Sequence, residues 1–273
     1  APFQFRRSGS ATMKLLIDAG NTRIKWAVVN DATEWFCSGV LPIAQANKLE
    51  QIIADYLDKY ETSLQGIQQI WVSNVAGDVI AQHIRNIGVG KSTEVQFIAA
   101  RETQCGVHNG YSQASQLGGD RWAALIAAWH LVQGKCLVVN SGTATTIDTL
   151  SEHGEFLGGI ILPGVELMQR NLVAATQLKF TEGEMKLAEG KYAPYPLMSA
   201  DALYSGAIQA SCGAIERQYS LLNDNSASLV LSGGSAGLLH PHLNQRLFKA
   251  SPCVADNLVL QGLLLIAQEV GRP

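Results

Sequence analysis

A duplicated α/β fold in two domains is what this sequence predicts, and three observations carry the expectation. Aliphatic runs suited to buried strands alternate with segments of helical periodicity along most of the chain. A polar glycine turn between two apolar strands occurs twice, in LLIDAGNTRIKWAVV (15–29) and in LVVNSGTATTIDTL (137–150). The elements that follow each copy come in the same order, as expected for an internal repeat of a three-stranded antiparallel meander continuing into parallel strands.

The composition permits such a fold. The chain has 273 residues, 47% hydrophobic and 16% charged, enough for one large or two modest cores. A formal net charge of -3 with a pI near 6.1 gives no general nucleic-acid surface, so no nucleic acid is expected as partner. No apolar run approaches the roughly 18 residues a membrane span needs. Five scattered cysteines without a C-x-x-C motif point to a reducing compartment, here the cytoplasm, with Cys136 and Cys212 as small buried hydrophobes. His240 and His242 lie in an expected loop and make a weak metal motif. Residues 1–12 contain two arginines and no apolar stretch, and read as linker rather than signal peptide.

In the first half, strands are expected near 14–18, 23–30 and 35–40. A helix then presents Leu49, Ile52, Ile53, Tyr56, Leu57 and Tyr60 on one face. A strand at 69–75, a helix at 78–87 and a strand at 94–98 follow. The stretch 101–118 lacks periodicity and reads as a loop. The second half opens with a glycine-led helix (117–132), then the repeated hairpin (137–150) and a third strand (155–164). Helices at 165–176 and 199–222 flank a polar stretch, 177–198. A strand (228–233), a helix (236–248) and a final helix (256–269) complete it. The domains are drawn as 13–117 and 118–273.

A carboxylate, an amide and a lysine in a core hairpin are costly unless a ligand satisfies them. Gly20 and Gly142 let backbone N–H groups approach an anion, and neighbouring hydroxyls and amides add donors. Lys25 supplies positive charge, and Asp18 offers oxygen to Mg²⁺ beside phosphates. Two such turns facing across a cleft between the domains would grip the phosphate tail of a nucleotide. Ser232, Gly233 and Gly234, between a strand and a helix, suit its sugar or base. GVGKST (88–93) imitates the end of a Walker A loop, but Arg85 stands where that motif needs its first glycine, so it is set aside. In NGYSQASQLGGDRW (109–122), Gly118 and Gly119 allow close approach to Asp120. That residue reads equally as a helix cap or as a general base for an attacking alcohol. Arg121 offers a bidentate fork to a substrate carboxylate.

The set D-x-G-N-T-x-x-K (Asp18 to Lys25), Y-x5-L-G-x-D-R-W (Tyr111 to Trp122), G-T-A-T-T-x-D (Gly142 to Asp148), G-G-x-I-x-P-G (Gly158 to Gly164) and S-G-G (Ser232 to Gly234) resembles type III pantothenate kinase, in order and from Met13 to near the C-terminus. The resemblance implies a duplicated RNase H-like, actin-like (ASKHA) fold. It implies a homodimer that phosphorylates pantothenate with ATP and Mg²⁺, the first step of coenzyme A synthesis. It makes Asp120 the general base and Tyr111, Gly118, Gly119, Arg121 and Ser199 pantothenate contacts, Ser199 standing where most members have Thr. It makes Asp18, Ala19, Gly20, Asn21, Thr22, Arg23, Ile24, Lys25 and Thr143 ATP contacts. Many members carry Asp where this chain has Asn140, a ligand for K⁺ or NH₄⁺. An amide brings no charge, so little monovalent-cation dependence is expected. The alternatives are an accessory protein for transcription, a role first noted for some members, and another small-molecule kinase of the same fold.

Overall fold

The structure, a computed structural model, describes residues 13–30, 35–60, 62–88, 93–176 and 190–270. The expected linker (1–12), most of the Walker-like decoy (89–92) and the larger part of the polar stretch (177–189) lie outside the described residues. Contacts divide the chain into two units. The first holds the described residues of Ala1–Ala99, Gly118–Ala123 and Val259–Pro273; the second holds those of Ala100–Leu117 and Ala124–Leu258. The sequence reading draws one boundary between 117 and 118.

The first unit is built on a five-stranded sheet of β1 (Met13–Ala19), β2 (Arg23–Asn30), β3 (Trp35–Pro42), β4 (Ile67–Asn74) and β5 (Glu94–Phe97), in the order β3-β2-β1-β4-β5. β1, β2 and β3 form the antiparallel meander, while β4 runs parallel to β1 and β5 parallel to β4. β1 and β2 are buried on both faces, so they read as continuous apolar runs rather than alternating ones. The helix α1 (Leu49–Asp58) buries Leu49, Ile53 and Leu57, an i, i+4, i+8 stripe, in the same core as Trp26. The Tyr56 and Trp26 rings stand nearly perpendicular with centroids 5.3 Å apart. α2 (Asp78–Arg85) adds Ile80 and Ile84 to that core.

The second unit carries seven strands, β6 (Thr103–Gln104), β7 (Val107–Asn109), β8 (Cys136–Ser141), β9 (Ala144–Leu150), β10 (Glu155–Pro163), β11 (Ser228–Ser232) and β12 (Cys253–Val254), in the order β12-β11-β8-β9-β10-β7-β6. Set the small β6–β7 hairpin aside, and β10-β9-β8-β11-β12 repeats β3-β2-β1-β4-β5 strand for strand. The antiparallel and parallel pairings match as well. The duplication inferred from two hairpins is therefore visible in the connectivity of both sheets.

The helices are α3 (Gly119–Val132), α4 (Val165–Ala175), α5 (Ser199–Leu221), α6 (Ala236–Leu239) and α7 (Leu258–Val270). From Arg121 to Ala128 every residue of α3 is buried, as in a helix enclosed on all sides. A Cβ on Gly262 of α7 would strike the Ala123 carbonyl, so glycine lets these two backbones nearly touch in the first unit. α5 packs Ile208, Ile215 and Tyr219 into the second core, and the Tyr219 hydroxyl donates to the Ala227 carbonyl at 2.7 Å.

Two expectations need correction. The stretch 101–118 is not all loop: β6 and β7 pair across Cys105 and Gly106, both at positive φ. Strands of two and three residues are too short to leave a periodic signal. The helix expected over 236–248 stops at Leu239 and gives way to 3₁₀ turns at His240–His242 and Gln245–Leu247. Pro241 lacks the N–H that a continuing helix needs, and Asn244 caps the second turn by accepting from the Arg246 N–H at 3.2 Å. None of the five cysteines forms a disulfide, and burial pushes the thiols of Cys136 and Cys212 up to about 12, which makes them inert apolar filler. Among the described residues no helix is long and apolar enough to cross a membrane.

Candidate active site

In the first unit, strand register assembles the polar groups. Asp18 lies opposite Lys25 on β2 and opposite Ser73 on β4. The three side chains therefore share one face of the sheet. The other face carries Leu15, Ile17, Ala19 and Ile24 into the core. Ala19 and Ile24, expected as nucleotide contacts, thus bury their side chains and leave only backbone for a ligand. Asn21, Thr22 and Arg23 are exposed. The turn is held by backbone bonds: Gly20 N–H to the Arg23 carbonyl at 3.0 Å, Ile43 N–H to the Thr22 carbonyl at 2.8 Å, and Val75 N–H to the Ala19 carbonyl at 3.0 Å.

Asp18 is half-buried, and its carboxyl is pushed up to about 7, first by burial and then by the negative charge of Asp120, with Lys25 opposing. Asp120 stands in the first turn of α3, where its Oδ1 accepts from the Arg121 N–H at 2.8 Å. Cap and base are thus compatible roles, since one oxygen serves the helix start and the carboxylate has a second. A Cβ on Gly118 would lie 2.7 Å from that Oδ1, so the glycine keeps the carboxylate's place open. Arg121 is buried.

Two half-buried carboxylates on one unit fit Mg²⁺, an ion commonly held by one or two carboxylates with substrate phosphates and water completing its shell. Among the described residues there is no group of three His, Cys, Asp or Glu that would make an all-protein cage for a metal. His242, half of the weak motif, stacks on Tyr192 with ring centroids 3.9 Å apart.

The second unit places Gly142 and Thr143 alone between β8 and β9, a two-residue turn; Ala144 to Thr146 already belong to the strand. Ser141 and Thr145 link hydroxyls across its base at 2.9 Å. Two glycines back the turn. Gly164 donates its N–H to the Thr143 carbonyl at 2.8 Å, and a Cβ there would meet the Gly142 carbonyl. Gly233, at φ +93°, presses on Ser141, and the Ser235 N–H bonds the Ser141 carbonyl at 3.0 Å. The structure thus brings Ser232–Gly234 beside Asn140 and Ser141, the residues that lead into the Gly142–Thr143 turn. Asn140, half-buried, lies opposite Thr146 and Ser232. Tyr111 belongs to another part of this unit, its ring 5.4 Å from Phe156 and its N–H on Asn109 Oδ1 at 3.0 Å. Ser199 is the exposed first residue of α5.

The residue missed in the sequence is Ser73. Its signal was the repeat: β4 reads IQQIWVSN and β11 reads SLVLS, each placing a serine opposite the polar residue that precedes its turn.

Residues 14–221 match the family model described as type III pantothenate kinase. The type III pantothenate kinase of Nitrosospira multiformis is 44% identical over 261 residues, covering 94% of this chain and 92% of that protein. That of Aromatoleum aromaticum is 43% identical over 258 residues, covering 94% and 98%. Among solved structures, the activator of 2-hydroxyisocaproyl-CoA dehydratase from Clostridium difficile, with bound ADPNP, aligns at TM-score 0.53 with 8% identity over 96% of this chain and 99% of that one. Component A of (R)-2-hydroxyglutaryl-CoA dehydratase from Acidaminococcus fermentans aligns at 0.52 with 12% identity over 96% and 100%. These distant likenesses show the fold alone, the duplicated actin-like one.

Proposed function

The chain belongs to the type III pantothenate kinase family, and from that premise we propose which of its residues carry ATP-dependent phosphorylation of pantothenate, the step that opens coenzyme A synthesis. The accessory role in transcription is not favoured by these relatives. The observation that carries the assignment is the carboxylate pair of the first unit: Asp18 faces Lys25 at the base of a glycine turn, and Asp120 is near enough for its charge to act on Asp18.

Asp120 takes the proton of the primary hydroxyl of pantothenate as that oxygen attacks the γ-phosphate, giving 4'-phosphopantothenate and ADP. Gly118, Gly119 and Arg121 flank Asp120 in the chain, Gly118 and the Arg121 N–H lying next to its Oδ1, and the guanidinium is the natural holder of the substrate's own carboxylate. For Tyr111 and Ser199 a pantothenate contact rests on the resemblance alone. The exposed Asn21–Thr22 segment, which the Gly20 N–H bond to the Arg23 carbonyl holds in its turn, and the ammonium of Lys25 receive phosphate oxygens. Asp18, ionised, would hold Mg²⁺, which supplies charge neutralisation on the transferring phosphoryl group. In the second unit, the Gly142–Thr143 turn and the Ser232–Gly234 segment behind it serve the nucleotide.

We place the enzyme in the cytoplasm and expect a homodimer. The exposed apolar residues Leu157, Ile161 and Leu172 of the second unit support an interface there. Sedimentation of the wild type beside Ile161→Asp tests that point.

The decisive experiment incubates the protein with ATP, Mg²⁺ and pantothenate and detects the phosphorylated product by mass. Asp120→Asn is expected to lower kcat by about 10²–10⁴-fold while pantothenate affinity, read by calorimetry, stays within a factor of about two. Turnover in that variant close to wild type refutes the assignment of the base.

A further inference from the structure

The Ser73 hydroxyl is wholly enclosed and makes no hydrogen bond among the described residues. Such a group calls for an explanation, because a buried donor without a partner destabilises the fold that holds it. Its position supplies one. Ser73 lies opposite Asp18 in the parallel β1–β4 pair, one strand spacing away and on the same face. The second unit contains the internal control. Ser232 occupies the equivalent place on β11, opposite Asn140, is likewise buried, and its hydroxyl oxygen accepts from the Leu258 N–H at 3.4 Å. The two serines share a position and differ in their partners. In the second unit a helix start uses the hydroxyl; in the first it is left over beside a carboxylate.

We propose that Ser73 is a positioning residue for Asp18, its hydroxyl donating to the ionised carboxylate and fixing the orientation in which that carboxylate meets Mg²⁺ and the nucleotide phosphates. The charged groups acting on Asp18 are Asp120 from α3 and Lys25 from β2; β4 contributes the neutral donor. Lys25 offers a long, rotatable ammonium that phosphate oxygens compete for. A short serine on the neighbouring strand has no such freedom, so it holds the carboxylate when the lysine is engaged elsewhere. The proposal rests on the reading of Asp18 as a nucleotide-site carboxylate, and its test separates the two.

Calorimetric titration with ADP, with and without Mg²⁺, is run on wild type, Ser73→Ala, Asp18→Asn and the double variant. Ser73→Ala is expected to weaken Mg²⁺-dependent ADP binding about 5–10-fold, a coupling typical of paired side chains. ADP binding without Mg²⁺ should be unchanged, and in the Asp18→Asn background the serine change should cost less than about 2-fold. Its melting temperature should equal or exceed the wild-type value, because the orphan donor is gone. Equal weakening in both backgrounds, or none in either, overturns the role of Ser73. Asp18→Asn binding Mg²⁺ and ADP like the wild type overturns the underlying site reading instead. Ser73→Thr and Ser73→Val, matched in shape, guard against a packing artefact: the threonine should keep the Mg²⁺-dependent affinity and the valine lose it. Loss in both, or in neither, counts against the proposal.

Discussion

The turn after β1 and the turn after β8 stand in the same frame and carry different side chains. Each is tied down at matching points. The carbonyl closing the first strand, Ala19 or Ser141, accepts from the chain just beyond the fourth strand, Val75 or Ser235; the carbonyl of Thr22 or Thr143 accepts from the residue just after the third, Ile43 or Gly164. The first turn is a residue longer and is charged, with Asp18 opposite Lys25 and Asp120 acting on it. The second is neutral, with Asn140 opposite Thr146 and linked hydroxyls at Ser141 and Thr145. Duplication preserved the backbone frame of the turn, including the bond from its glycine N–H, Gly20 or Gly142, to the carbonyl of the strand residue that follows, Arg23 or Ala144. Side-chain change then set the copies apart, leaving a carboxylate and a lysine on one and an amide with linked hydroxyls on the other.

The largest effect that would break this contrast comes from the charged turn. Asp18→Asn should lower kcat/KM for ATP by about 10²-fold or more, since an amide brings no charge to the metal and phosphates; steady-state kinetics at saturating pantothenate measures it. Asn140→Ala, at the matching position of the second unit, should cost far less.

Next comes the backing of the neutral turn. Gly233→Ala forces an alanine to φ +93° and drives its Cβ into Ser141, so stability should fall by at least ~2 kcal/mol and KM for ATP should rise. Gly77 has φ +89° but nothing within 4 Å of an added Cβ. Gly77→Ala should therefore show only the conformational cost, about 1 kcal/mol, and denaturant unfolding of the pair isolates the contact contribution.

A smaller effect tests the electrostatics stored in the first turn. The folded-state pKa of Asp18, about 7, lies above the unfolded value near 3.8. Its protonated form therefore favours folding, fully below the unfolded value, and this contribution is lost as pH rises through 7. Scanning calorimetry of ligand-free protein from pH 4 to 8.5 should show wild type losing about 1–2 kcal/mol relative to Asp18→Asn, less than full conversion of the pKa change implies because water screens a half-buried group.

The smallest response is to monovalent cations. Wild-type activity should change less than about 2-fold between low and 100 mM KCl, and Asn140→Asp should introduce a dependence, because only a carboxylate holds K⁺ by charge. A steep wild-type KCl titration abolished by Asn140→Ala would contradict this.

How much of this was legible in the sequence follows from the length scale of each signal. The hairpins were readable because doubly buried strands leave long apolar runs, against which Asp18 and Lys25 stand out. The β6–β7 hairpin was not, since its strands are two and three residues long. The end of α6 was overrun because apolar spacing persists past Pro241 although the backbone cannot. Gly118, Asp120 and Arg121 were readable as one motif within a single helix turn, but whether Asp120 also served as a cap depended on the orientation of one oxygen. Ser73 was missed because a lone serine at the end of a strand carries no local signal.

The sequence alone determined the order of elements, the repeat and the residue types offered to a ligand, because strand and helix patterns and turn chemistry act over a few neighbouring positions. Tertiary structure decided the rest. Only strand register sets Asp18 between Lys25 and Ser73, and only packing brings Gly233 against Ser141. Burial and the charge of Asp120, a residue far along the chain, raise the Asp18 carboxyl toward neutrality. Those are relations between distant segments, and solvent exclusion and charge proximity exist only once the segments have met.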